Sequence, residues 1–167
     1  MICMNYADFR PSIKSGDLLA WTHRSWKSWR DIKIQLVRFF TQSEYSHVAL
    51  ALELGGRIFA VEAVKPYVRI ALLSSLGEFY HVSTRADWTE DVTEYALSHI
   101  GEPYSEIQAI QSFFKHLQHD SQWECAELVL DILEKVSIDL GSKQTPTAVM
   151  REAQLQFGIC TLVSNPK

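Results

Sequence analysis

The spacing of apolar and polar positions changes character along the chain. Leu18-Leu19-Ala20-Trp21, behind Gly16-Asp17, reads as a short buried strand after a turn. From 26 to 40 the apolar positions Trp26, Trp29, Ile32, Leu36, Phe39 and Phe40 recur at helical intervals with Lys and Arg between them, which predicts a helix closed by Thr41-Gln42-Ser43-Glu44. Two largely apolar runs, 47–54 and 57–64, then flank Gly55-Gly56. Paired glycines between such runs predict a hairpin, because a type I′ turn needs positive φ at both positions. Stretches 68–73 and 79–84 read as further strands, extending an antiparallel sheet to about five. Beyond Thr89 the period becomes helical. One helix is expected over 90–100, stopped by Gly101 and Pro103, and a second over 125–136. A third spans 146–156, with Thr145 as N-cap and Pro146 in its first turn, and 158–163 is a last strand. Helix, sheet, then helices is an α+β layout, with the sheet packed against helices.

A length of 167 residues fits a single domain, 1–167, with an ordinary core and no need of a staple. The net charge of −4 argues against a nucleic-acid binder held by a broad basic face. Three cysteines without a short spacing form neither a disulfide framework nor a zinc pair, so no metal and no cofactor is expected. The first residues lack the charged and apolar regions of a signal peptide, and no apolar run reaches the roughly 20 residues of a membrane span. A protein made in a reducing cytoplasm is the default expectation.

The hairpin sets up the chemistry. With a two-residue turn, Leu54 pairs with Arg57, Val64 lies opposite His47, and Glu62 lies opposite Ala49. Val48, Leu50, Leu52, Phe59, Val61 and Ala63 then share a core face, and His47, Ala49, Ala51, Ala60 and Glu62 share the other. His47 and Glu62 become diagonal neighbours with Cβ atoms within about 7–8 Å, close enough for a carboxylate to bond an imidazole. The alanines around them leave room for another element to approach.

Cys125 is the candidate to do so. Ser121 followed by Glu124 has the capping-box pattern, which puts Cys125 near the first turn of its helix. The positive end of a helix dipole favours a thiolate there. A thiol facing a His with a carboxylate behind it is the geometry of nucleophilic acyl transfer. Each part also has an ordinary reading: Cys125 as an inert core thiol, His47 as a satisfied strand residue, Glu62 as a solvated surface carboxylate.

Other features are more open. Tyr45, two residues before His47, is either an oxyanion donor or a strand-edge aromatic. The stretch 21–30 mixes three Trp with His23, Arg24, Lys27 and Arg30, as a cleft rim, as a patch for an anionic polymer or membrane surface, or as a helix start with inward Trp. His116 and His119 have near-ligand spacing but no clear third ligand, so a solvated linker is the preferred reading.

The order of Gly16-Asp17-Leu18-Leu19, Ser46-His47-Val48-Ala49, Val61-Glu62-Ala63, Gly101-Glu102-Pro103-Tyr104 and Glu124-Cys125-Ala126-Glu127-Leu128-Val129 resembles the circularly permuted branch of the NlpC/P60 papain-like superfamily, most of all its YiiX-type amidases. The resemblance runs from about Gly16 to Arg151. It implies a permuted papain-like fold with Cys125 as nucleophile, His47 as general base and Glu62 as orienting residue. Tyr45, Trp21 and Tyr104 are the substrate-binding candidates. The implied activity is a cysteine hydrolase cleaving an amide, in a cell-wall peptide or another small amidated molecule, through a thioester. Departures at Ala126 and Ser105, where many relatives carry Ser and Asp, bear on substrate. The lack of a signal makes a phage-encoded origin one route to such a chain. Within enzymes the rival is acyl transfer of the lecithin:retinol acyltransferase-like branch, which normally carries a second His where this chain has Glu62. Outside enzymes the rival is a binding domain with an inert Cys125.

Overall fold

The computed structural model describes residues 2–22, 44–104 and 124–164. The helix expected at 26–40, together with His116 and His119, lies outside the described residues. In chain order the elements are β1 (Ile2–Asn5), α1 (Tyr6–Phe9), β2 (Leu18–Trp21), β3 (His47–Leu54), β4 (Arg57–Val64), β5 (Tyr67–Leu72), β6 (Phe79–Val82), α2 (Glu90–Ser98), α3 (Cys125–Glu134), α4 (Pro146–Phe157) and β7 (Cys160–Ser164). The architecture is α+β.

The sheet has seven strands, in the order β1-β7-β6-β2-β3-β4-β5, where about five were expected. The additions are at one edge. β7 continues the sheet beyond β6, and β1 pairs parallel to β7, Ile2 with Thr161 through Asn5 with Ser164. Cys3 is therefore a strand residue. All other pairings are antiparallel. Gly55 and Gly56 have φ of 55° and 72°, and the hairpin register runs from Leu54 with Arg57 to Leu50 with Val61, as the two-glycine turn requires.

Alternation along the strands gives the sheet two buried faces. Leu18, Ala20, Val48, Leu50, Leu52, Val61, Ala63 and Val82 pack against α2, α3 and α4, whose inward stripes include Leu128, Val129, Ile132 and Leu133. Leu19, Ala49, Ala51, Ala60 and Phe79 face the other way and are covered by Tyr6, Ile13 and Leu73. The alanine face thus receives the N-terminal segment and the chain after β5, while the Cys125 helix covers the opposite face. Among the described residues no helix is long and apolar enough to cross a membrane.

Gly16-Asp17 holds β2 to β6. Gly16 has φ of +87°, and a Cβ there would lie 2.7 Å from both the Ala86 Cβ and the Trp88 ring. Only glycine fits such a site without strain. Asp17 is buried, and its carboxylate accepts from the Lys14 N–H at 2.8 Å, Ser83 Oγ at 3.1 Å and the Thr84 N–H at 3.2 Å, and pairs with His81 Nε2 at 2.8 Å. A buried carboxylate needs that number of partners to offset its lost hydration.

Candidate active site

His47 is positioned from both sides. Its predecessor Ser46 donates its N–H (2.9 Å) and its hydroxyl (3.1 Å) to the Trp21 carbonyl on β2. Tyr45, one residue earlier, donates its N–H to Thr147 Oγ1 on α4 at 3.0 Å. The start of β3 is thus pinned between a strand and a helix.

The side chains then form a line. His47 Nε2 lies 2.8 Å from Glu62 Oε2. That leaves Nδ1 as the ring nitrogen available to a second partner, and the Cys125 thiol is within hydrogen-bonding reach of the imidazole. On the far side of Glu62, Arg69 donates to Oε1 from Nε at 2.9 Å and approaches it with Nη2 at 2.8 Å. The order Arg69, Glu62, His47, Cys125 draws one residue each from β5, β4, β3 and α3.

Cys125 and His47 meet because each is the first residue of its element. Helix α3 packs on the Val48 face while Glu62 lies on the alanine face, so the contact is made at the strand end rather than through the sheet. The capping-box expectation is corrected in detail. Glu124 occupies the N-cap position with no side-chain cap bond, and Cys125 is the first helical residue. The thiol is therefore closer to the helix start than Ser121 as N-cap implied, and the Cys125 N–H is one of the donors that an α-helix leaves unpaired.

Electrostatics follow from these contacts. Burial works against a charged imidazole, but hydrogen bonds to Cys125 and Glu62, and their charges, outweigh it and raise His47 from 6.5 to about 9. Burial likewise pushes the Glu62 carboxyl up. His47 and Arg69 oppose it more strongly and hold the carboxyl below its ordinary 4.5. Both effects favour the imidazolium–carboxylate form of the pair.

No protein-family model matches the chain, and no curated protein does. The solved structure of the metalloprotein yiiX from Escherichia coli O157:H7, DUF1105, is similar, with a TM-score of 0.57 and 18% identity over 92% of this chain and 89% of that one. The chain has a YiiX-like fold. At this identity the likeness extends to the fold alone.

Within that YiiX-like fold the remaining candidates separate. Trp21 lies directly opposite His47 in the β2–β3 register, with its ring centroid 5.4 Å from the imidazole and 6.1 Å from Phe79. It walls the His47 ring. Tyr45 is a core residue: it is buried, stands edge-on to Tyr80 at 5.2 Å, and its hydroxyl accepts from Gln154 Nε2 at 3.3 Å and bonds the Cys160 thiol. Burial pushes this phenol up to about 12. An oxyanion donor must face the cleft with its O–H unspent, so this placement counts against that role for Tyr45. Tyr104 is anchored by its N–H to the Pro66 carbonyl at 3.0 Å and packs beside the helix-side core.

Arg69 is the residue the sequence reading missed. Strand β5 was read as a strand but not registered against β4. Extending the hairpin register across the short Lys65-Pro66 connection places Arg69 opposite Glu62. A cation directly across from a carboxylate is a readable cross-strand signal.

Proposed function

We propose that this protein is a cysteine hydrolase on a permuted papain-like scaffold, with Cys125 as nucleophile, His47 as general base and acid, and Glu62 as orienting carboxylate. The observation that carries the reading is the His47 ring, held between the Cys125 thiol and Glu62 Oε2. A base fixed by a third group beside a nucleophile at a helix start is the recurring arrangement for acyl transfer.

In the proposed cycle Cys125 Sγ attacks the substrate carbonyl carbon while the thiol proton resides on His47. The tetrahedral oxyanion is met by the Cys125 N–H at the start of α3. Its collapse breaks the carbonyl–nitrogen bond, and the His47 proton goes to the departing amine. Water then gives a proton to His47 and attacks the thioester. Collapse releases the acid, and the proton returns to sulfur. Throughout, Glu62 stabilises the imidazolium and Trp21 limits water on the ring. The substrate class is an amide of a small peptide, such as one from a cell wall.

The name of the yiiX structure makes a metal worth testing against this donor set. Glu62 spends Oε2 on His47 Nε2 and Oε1 on Arg69, so its carboxylate is already taken by protein partners. Among the described residues no three His, Cys, Asp or Glu side chains are grouped to hold a metal ion. The donor set does not fit a metal, and no step is routed through one.

The test is acylation by p-nitrophenyl acetate, read as a nitrophenol burst and as an acetyl adduct in the intact mass. The adduct should map to Cys125 and be absent in Cys125→Ala. A native protein whose Cys125 takes up neither acetyl nor iodoacetamide would be a binding domain instead.

A further inference from the structure

Glu62 has two carboxylate oxygens, and they do different work. Oε2 serves His47, while Oε1 is taken by Nε and Nη2 of Arg69. The Glu62 side chain is 4% exposed and that of Arg69 is 55% exposed. The guanidinium therefore lies over the solvent side of the pair, on the last strand of the sheet, directly across from Glu62. With Oε1 tied by two donors, the carboxylate cannot turn about its last torsion without breaking both. A compact ammonium on a flexible stem has no such fork.

We propose that Arg69 is a positioning residue of this site: its guanidinium fixes Oε1 of Glu62 so that Oε2 stays an ionised acceptor aimed at His47. Among the described residues, the charged groups facing Glu62 are His47 from β3 and Arg69 from β5, with Cys125 of α3 bonded to the same imidazole. Without Arg69 the buried carboxylate keeps one partner, is free to rotate, and is more easily protonated. A protonated Glu62 donates where it must accept. The consequence for turnover rests on the hydrolase reading above; the state of Glu62 can be measured without it.

The experiment compares wild type with Arg69→Met and Arg69→Lys. Glu62 is followed by carboxyl 13C NMR against pH, and Cys125 by single-turnover acylation with p-nitrophenyl acetate. In Arg69→Met, Glu62 should titrate about one pH unit higher or more, the size expected for losing an adjacent opposite charge. The acid limit of acylation should move up in pH with the Glu62 titration, with Arg69→Lys recovering part of both effects. An unchanged Glu62 titration in Arg69→Met, or a Lys variant no better than Met, overturns the proposal. Should Arg69→Met not fold, Arg69→Lys decides: an upward Glu62 shift smaller than that unit supports the role, and no shift refutes it. If wild-type Cys125 is never acylated, the hydrolase reading fails, while the NMR titration still decides the role of Arg69.

Discussion

Removing the charge on Glu62 while keeping its shape is the most direct perturbation of the line from Arg69 to Cys125. His47 is raised from 6.5 to about 9, equivalent to about 3 kcal/mol in favour of the imidazolium at about 1.36 kcal/mol per tenfold change. A raised group adds stability that is complete below its unfolded value of 6.5 and is lost as pH rises through about 9. Glu62 and Cys125 share this effect against the opposing cost of burial. In Glu62→Gln the burial cost remains and the carboxylate charge is gone. The amide also has one acceptor oxygen where Glu62 uses two, one for His47 and one for Arg69. His47 should therefore titrate at least about one pH unit lower, and the alkaline limit of turnover should move with it. Near neutral pH the variant should lose about 1.5–3 kcal/mol of stability, the usual range for a hydrogen bond to a charged group. Imidazole 15N NMR titration of both proteins reads the first effect and thermal melting against pH the second. Since the carboxylate matters most once His47 is charged, acylation should fall in rate rather than in apparent binding. A His47 that still titrates near 9 in Glu62→Gln would show that Cys125 alone holds its proton, reducing Glu62 to a structural residue.

Other expectations follow from single side chains. Under limiting iodoacetamide below neutral pH, Cys125 should label before Cys3 and Cys160, because burial pushes the Cys160 thiol up and the His47 imidazole bonds Cys125; peptide mapping that finds either of the others first overturns the nucleophile assignment. Asp17→Ala should cost about 3 kcal/mol or more by breaking a buried pair, and calorimetry should show a Tm drop of roughly 6–12 °C for a chain of this size. Cys125 labelling of the Asp17→Ala variant in the cold should persist. Gly16→Ala forces φ of +87° on a residue whose Cβ meets Ala86 and Trp88 at 2.7 Å, so its Tm should fall as well, and a wild-type Tm would refute the close-packing reading.

Much of the site was legible because one local signal controls it. Gly55-Gly56 sets the turn, the turn sets the register, and the register brings His47 and Glu62 to one side of the sheet. The Cys125 helix was legible from its apolar stripe. What escaped were the relations between distant segments. β1 is four residues long and pairs with β7 at the far end of the chain, which no local period reveals. The alanine face correctly implied a close neighbour, but periodicity does not say which segment covers which face; Tyr6, Ile13 and Leu73 do, and the Cys125 helix takes the other side. Arg69 was hidden by composition, since a lone cation on a strand reads as solvent-facing until the neighbouring register is drawn.

The same sheet holds two imidazole–carboxylate pairs, and their surroundings separate the candidate site from a structural pair. His81 Nε2 lies 2.8 Å from Asp17 and His47 Nε2 lies 2.8 Å from Glu62, so the pairs match in length and in the ring nitrogen used. Their surroundings differ. The Asp17 carboxylate also bonds two backbone N–H groups and Ser83, the His81 side chain is 5% exposed, and its ring stands edge-on to Phe9 at 5.0 Å. Everything about that pair serves to hold β2 to β6. The His47 side chain is 19% exposed, its carboxylate is braced from outside by one guanidinium, and its ring faces a thiol at a helix start. A carboxylate behind an imidazole is thus common to a structural clamp and to a candidate triad. The difference lies in what surrounds the ring: the proposed proton transfer needs a thiol within reach of the imidazole at the open end of a strand, which His47 has in Cys125, whereas the His81 ring is walled in beside Phe9.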